Sequence, residues 1–177
     1  MTEQFAFVDE SLRSGRYLLG CVIVEEIAAG PLRRNLRKLL LPNERRLHIR
    51  KSDRPQRLRI LGTIAGWDFD ARVYECRHRE SVGTEAARQL GVERLVRDVQ
   101  DTGVDTTMFI ERREGADDRD RSTIIRARQR RPSLDFQHLR PTDDPLLWLP
   151  DAIAWAVGAG GEWRRALGSS VTVIEVA

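Results

Sequence analysis

Three carboxylates stand where neighbouring strand ends and helix starts of an α/β sheet would meet. Asp9 closes the apolar run of residues 5–9 (FAFVD), Glu111 closes residues 105–111 (DTTMFIE), and Asp151 follows Pro150 near the start of a late helix. In an open sheet such ends line the crevice in which ligands bind. Carboxylates gathered there repel unless a divalent cation lies between them, and an all-oxygen donor set favours Mg²⁺ or Mn²⁺. Two such ions about 4 Å apart can activate a water and stabilise the leaving oxygen of a phosphodiester. Asp9, Glu111 and Asp151 are therefore the expected catalytic and metal-holding residues, with Glu10 as an outer metal ligand. Each acid also has a plainer reading. Asp9 could open a turn, Glu111 could belong to the charged run 111–114, and Asp151 could complement a helix dipole. Asp151, however, shares its helical face with Trp148 and Trp155, a costly neighbourhood for a carboxylate without a partner.

Basic residues cluster in one further segment, 45–51 (RRLHIRK). Its alternation predicts a short strand with Leu47 and Ile49 on one side and Arg46, His48 and Arg50 on the other. His48 there could position a scissile phosphate or carry a proton. Arg46, Arg50 and Lys51 would grip phosphates without reading base sequence. His138 is a weaker candidate, and His78 in its charged loop reads as plain surface.

Composition narrows the remaining classes. The 177 residues suffice for one domain, expected to span 1–177, and 41% hydrophobic with 32% charged residues describes a soluble globular chain. Net charge is +3, and all but two of the 30 basic residues are arginine. A GC-rich genome explains that bias as well as a phosphate ligand does, so the placement of the arginines says more than their number. No apolar run approaches the length of a bilayer span, and residues 1–7 lack the basic start of a secretion signal. A cytoplasmic protein without membrane contact is expected. Cys21 and Cys76 have no histidines at metal-ligand spacing and read as small buried hydrophobes rather than a zinc site. There is no glycine-rich nucleotide loop and no Gly-x-Ser-x-Gly elbow.

The elements that must carry these residues follow from periodicity. Strands are expected at 5–9, 17–24, 45–51, 70–76, 105–111, 134–139 and 171–176, the first two pairing as an antiparallel hairpin. Helices are expected from Pro31 to about 41, from a Ser52 or Asp53 cap to 65, and over 84–100, 117–131 and 145–158, the last interrupted or restarted at Pro150. Buried positions should include Leu58, Leu61 and Ile64 in the second helix and Ala87, Leu90, Leu95 and Val99 in the third. A meander followed by strand–helix alternation gives a mixed β-sheet flanked by helices.

The strand Phe7-Val8-Asp9-Glu10-Ser11, the Leu47-His48 element, the strand ending in Glu111 and the helix segment 146–154 (LLWLPDAIA) together resemble the bacterial domain of unknown function 3800 family. That resemblance spans most of the chain. It implies a ribonuclease H-like fold and a nuclease-type site in which Asp9, Glu111 and Asp151 match three acidic positions. Leu47 stands where the family often has glutamate, Trp148 and Pro150 where Gln and Ala are usual, and Glu111 where aspartate is more common. The expected function is metal-dependent hydrolysis of phosphodiesters in RNA or DNA. The alternative is a catalytically degenerate ribonuclease H-like module that binds nucleic acid or a protein partner, with a possible homodimer. Trp148, Trp155 and Trp163 would then supply an interface, although large aromatics are more often core.

Overall fold

The computed structural model describes residues 3–77 and 83–176, so His78 lies outside the described residues. Six strands form one mixed sheet in the order β5-β4-β1-β2-β3-β6. These are β1 (Gln4–Arg13), β2 (Arg16–Glu25), β3 (Asp70–Arg77), β4 (Thr106–Glu111), β5 (Leu134–Leu139) and β6 (Val171–Val176). The meander β1-β2-β3 is antiparallel, while β4 runs parallel to β1, β5 to β4 and β6 to β3. A sheet buried on both faces needs apolar residues in both alternating sets, and β2 supplies eight consecutive buried positions.

Helices cover the two faces as separate layers. On one side α1 (Glu26–Arg37), α2 (Arg54–Ile64) and α5 (Trp148–Ala159) pack on Phe7, Leu18, Val22 and Val73. On the other, α3 (Thr84–Gln100) and α4 (Asp117–Ala127) cover Ala6, Val8, Tyr17 and Leu19. A short helix, α6 (Gly161–Ala166), follows α5. Among the described residues no helix is long and apolar enough to cross a membrane.

The expected elements are largely present, with informative departures. β1 continues past Asp9 to Arg13, so the hairpin is longer than the apolar run alone suggested. α1 begins at Glu26, which leaves Pro31 inside the helix rather than in its first turn. The carbonyl deprived of a donor belongs to Ile27, which is 84% exposed, so water can satisfy it. Asp53 caps α2, its side chain accepting from the Gln56 N–H at 2.8 Å. Ile60 is buried where Leu58 was expected, and Leu90 of α3 is exposed. α4 stops at Ala127 because the buried Gln100 amide takes over the following backbone, accepting from Gln129 N and donating to the Gln129 and Pro132 carbonyls.

Residues 45–51 are not a strand. Leu47 and Ile49 are buried as their alternation required, but both sheet edges are taken by β5 and β6. The backbone is satisfied by side chains instead. Arg57 of α2 donates to the carbonyls of Ile49 (3.0 Å) and Arg50 (2.8 Å), and Ser52 Oγ donates to that of His48 (2.9 Å).

The position of α5 is set by a residue with no side chain. A Cβ placed on Gly20 of β2 would lie 2.6 Å from the Pro150 carbonyl oxygen and 3.2 Å from the Ala154 Cβ. The obstacle is largely backbone and cannot rotate away. Gly20→Ala is expected to push α5 off the sheet and destabilise the chain by about 1–3 kcal/mol, measured by denaturant unfolding. An unchanged midpoint would show that α5 does not rest on this contact.

Candidate functional site

The parallel ladder between β1 and β4 ends at Val8↔Ile110. One step further along this register places Asp9 beside Glu111. Both continue the face on which Phe7 and Phe109 stack with ring centroids 5.1 Å apart. Across the hairpin Asp9 pairs with Gly20, the glycine against which the Pro150 carbonyl packs. The first turn of α5 is thereby brought over Asp9, and Asp151 comes with it. The three acids share a cleft of about 290 Å³ whose wall also contains Leu12, Arg46, Arg50 and Arg113.

The electrostatics of the acids are those of a crowded, partly dehydrated group. Asp9 is 9% exposed, and burial pushes its carboxyl well above the usual range. Contact with Glu111 and the charges of Glu111 and Asp151 push it the same way. The Glu10 backbone N–H, 2.6 Å from Asp9 Oδ1, is the opposing influence. Asp151 is raised to about 6 by burial and the charge of Glu111, with Arg46 and Arg50 pulling it back.

Two comparisons with solved structures find the same architecture. The chain matches one in the PCNA:RNase HII complex from Archaeoglobus fulgidus with a TM-score of 0.56 and 14% identity, covering 88% of this chain and 73% of that one. It matches ribonuclease H2 from Pyrococcus horikoshii OT3 with a TM-score of 0.58 and 15% identity, covering 88% and 72% respectively. The fold is ribonuclease H-like. At these identities the likeness concerns architecture alone. No family model matches the chain, and no curated protein matches it in sequence.

On this ribonuclease H-like sheet the expected residues divide into those the cleft gathers and those it does not. Asp9, Glu111, Asp151, Arg46 and Arg50 meet there. Glu10 lines the cleft too, with one carboxylate oxygen engaged elsewhere. As the next residue along β1 it faces the other layer, where its Oε2 accepts from Tyr17 and Arg88. His48 and Lys51 are not on the cleft wall. His48 Nε2 accepts from Arg46 Nε at 2.7 Å, and burial with the neighbouring cations Arg46 and Lys51 lowers its pKa. A neutral imidazole with that nitrogen occupied supports Arg46 rather than carrying protons. His138 lies in the α4 layer, 3.5 Å from Asp120.

Four cleft-lining residues escape a reading of the chain alone, Val8, Leu12, Arg88 and Arg113, and so does Arg57, which holds the backbone of Arg50 from outside the cleft. Arg57 lies over Trp155 and Trp163, 4.8 and 5.5 Å from their ring centroids. These tryptophans are core partners of α2 and not a free interface. An arginine four residues after an N-cap gives no sign that it will reach back to a preceding loop.

The donor set fits a hard divalent cation. Asp9 and Glu111 are in contact with no arginine or lysine in salt-bridge range among the described residues. Mg²⁺ commonly uses one or two protein carboxylates and completes its shell with water and substrate oxygens. Among the described residues no group of three or more His, Cys, Asp or Glu side chains is placed to hold a metal ion, so a cation at Asp9 and Glu111 would take the rest of its shell from water and substrate oxygens.

Raised carboxylate pKa values make the folded state bind protons more tightly than the unfolded chain. The contribution of Asp151 to stability therefore falls as pH rises from about 4 through about 6. Asp151→Asn is expected to stabilise the metal-free chain by about 1–2 kcal/mol at pH 8, and the gain should vanish at pH 4. Thermal melts at the two pH values measure this. A gain independent of pH would mean that Asp151 is not held ionised against its surroundings.

Proposed function

We propose that this chain is a cytoplasmic, divalent-metal-dependent nuclease that hydrolyses phosphodiester bonds in RNA or DNA. One observation carries the reading: buried Asp9 and half-buried Glu111 meet in a cleft that also holds Asp151 and has arginines at its wall. The fold shared with RNase HII structures raises the prior for this chemistry without establishing it.

Asp9 and Glu111 would hold Mg²⁺ or Mn²⁺, with Asp151 completing the protein's share of the ligands. When bound, the cation supplies charge neutralisation and an acidified water. The chain does the rest. Arg46 and Arg50 grip the phosphate backbone, and as positioning contacts they favour no base. Arg57 keeps Arg50 in place by tying down its carbonyl, and His48 steadies Arg46. Leu12, 48% exposed at the cleft mouth, offers an apolar contact to sugar or base.

Incubation with Mg²⁺ or Mn²⁺ and end-labelled RNA, single-stranded DNA, duplexes and hybrids tests the proposal. Cleavage is expected with at least one substrate, abolished by chelator and reduced at least about 100-fold in Asp9→Ala and Asp151→Ala. Cleavage persisting in the double variant sinks the assignment. Arg46→Ala and Arg50→Ala should weaken binding similarly across sequences and each lower the salt dependence of log K by about 0.7–0.9. A change in sequence preference instead would remove the arginines from a backbone role. The unfinished ligand cage favours the degenerate binding module as a second reading, which predicts salt-sensitive binding without turnover under all metal conditions.

A further inference from the structure

The segment that follows α4 concentrates positive charge at the end of the sheet away from the cleft. Residues 126–131 (RARQRR) hold four arginines in six positions. β5 pairs with β4 from Thr106↔Leu134 beside this segment to Glu111↔Leu139 beside the cleft, five residue steps or about 17 Å further on. Arg126 lies 3.9 Å from Glu93. Arg128, Arg130 and Arg131 are exposed, and among the described residues no carboxylate lies within 4 Å of their charged groups. Two hollows of about 330 and 590 Å³ open there, and Arg130 and Ser133 line both. Asp135 borders the smaller and Asp105 the larger, but Asp105 is already bound to the Ser133 N–H at 2.7 Å. Ile125, 50% exposed, adds an apolar contact on the wall of the smaller hollow.

We infer that the loop between α4 and β5 is a second polynucleotide site, at which Arg128, Arg130 and Arg131 hold the phosphates of an unpaired strand whose continuation enters the cleft. This rests on the nucleic-acid reading above. The loop backbone is fixed from beneath: the Gln100 side chain, 2% exposed, accepts from the Gln129 N–H and donates to the Gln129 and Pro132 carbonyls. Solubility alone would not need a buried amide to hold an arginine-rich loop in one shape. Like charges held together without acids gain free energy when an anion enters. Arginines beside an exposed apolar side chain suit a single strand, whose phosphates and unpaired base faces are held without reading sequence. α4 joins the two sites. It starts at Asp117, which accepts from the N–H of the cleft residue Arg113, and it ends at the loop. Midway, Arg121 lies over Phe136 of β5, 5.6 Å from the ring centroid. At about 3.4 Å per nucleotide, a strand of roughly five nucleotides spans the separation.

Fluorescence anisotropy of the full chain in EDTA, with labelled oligothymidylate and oligouridylate of about 4 and 20 nucleotides, reads binding without turnover. The longer strands are expected to bind at least about 100-fold more tightly than the short ones, because only they reach both sites. Arg130→Ala with Arg131→Ala should weaken binding of the longer strands at least about tenfold and lower the salt dependence of log K by about 1.4, two single-strand phosphate contacts. Arg130→Lys with Arg131→Lys should keep affinity within about threefold, since phosphate contact needs the charge. A loss confined to RNA or to DNA supports the inference and names the strand. An equal loss of affinity for a duplex of the same length overturns the assignment to an unpaired strand. Unchanged affinity in the alanine variant, while Arg46→Ala and Arg50→Ala still weaken binding, overturns the inference and leaves the cleft reading standing. No binding of the longer strands by the unaltered chain overturns the nucleic-acid reading and the inference together.

Discussion

The close seating of α5 on the β1–β2 hairpin is the constraint from which the site follows. Helices normally stand off a sheet by the depth of the side chains between them. Here the pairing Asp9↔Gly20 puts a residue without a side chain beside the key acid, and the first turn of α5 fills the space. Gly158 repeats the device at the other end of the helix, where an added Cβ would lie 2.9 Å from Leu18 Cδ1. Both ends of α5 are therefore registered against β2. The entry to the helix is held from the side as well, because Asp144 receives Arg33 of α1 through two nitrogens and caps the Leu146 N–H.

β1 serves two chemistries because its faces alternate. The face toward α5 carries the aromatic ladder of Phe5 and Phe7 and then Asp9, which has no arginine in salt-bridge range among the described residues. The opposite face carries Glu10, where negative charge is matched by Arg88 and Arg113. Adjacent residues of one type thus end in opposite electrostatic states. The centre of the matched network is nearly dry, with Arg88 and Asp120 each 2% exposed, and a guanidinium buried there is tolerated because its carboxylate partners balance its charge. The unmatched pair is the part with free energy to gain from a ligand.

Much of this was legible in the chain. Strand period and strand ends pointed to Asp9 and Glu111, an acid among tryptophans pointed to Asp151, and α3, β5 and β6 have the expected boundaries. What was not legible depends on contacts distant in sequence. Glu10 meets Arg88 across 78 positions, and no local pattern distinguishes a metal-bound glutamate from an ion-paired one. The 45–51 segment misleads for a different reason. Alternating burial arises equally in a strand and in a loop pinned at every second residue, and the difference lies in Arg57, outside the segment. Gly20 was the one overlooked local sign. A glycine inside YLLGCVIV weakens a strand and calls for a close neighbour.

The order in which these parts lie along the chain has a consequence for its synthesis. Arg13 at the hairpin tip donates to the Trp155 carbonyl across 142 positions, and the cover that α1 and α2 give the hairpin's apolar face is completed only by α5. A nascent chain therefore leaves part of the Phe7-Leu18-Val22 surface open until residues 148–159 are made, and the cleft lacks its Asp151 wall until then. The last long helix thus closes the core and completes the cleft at once.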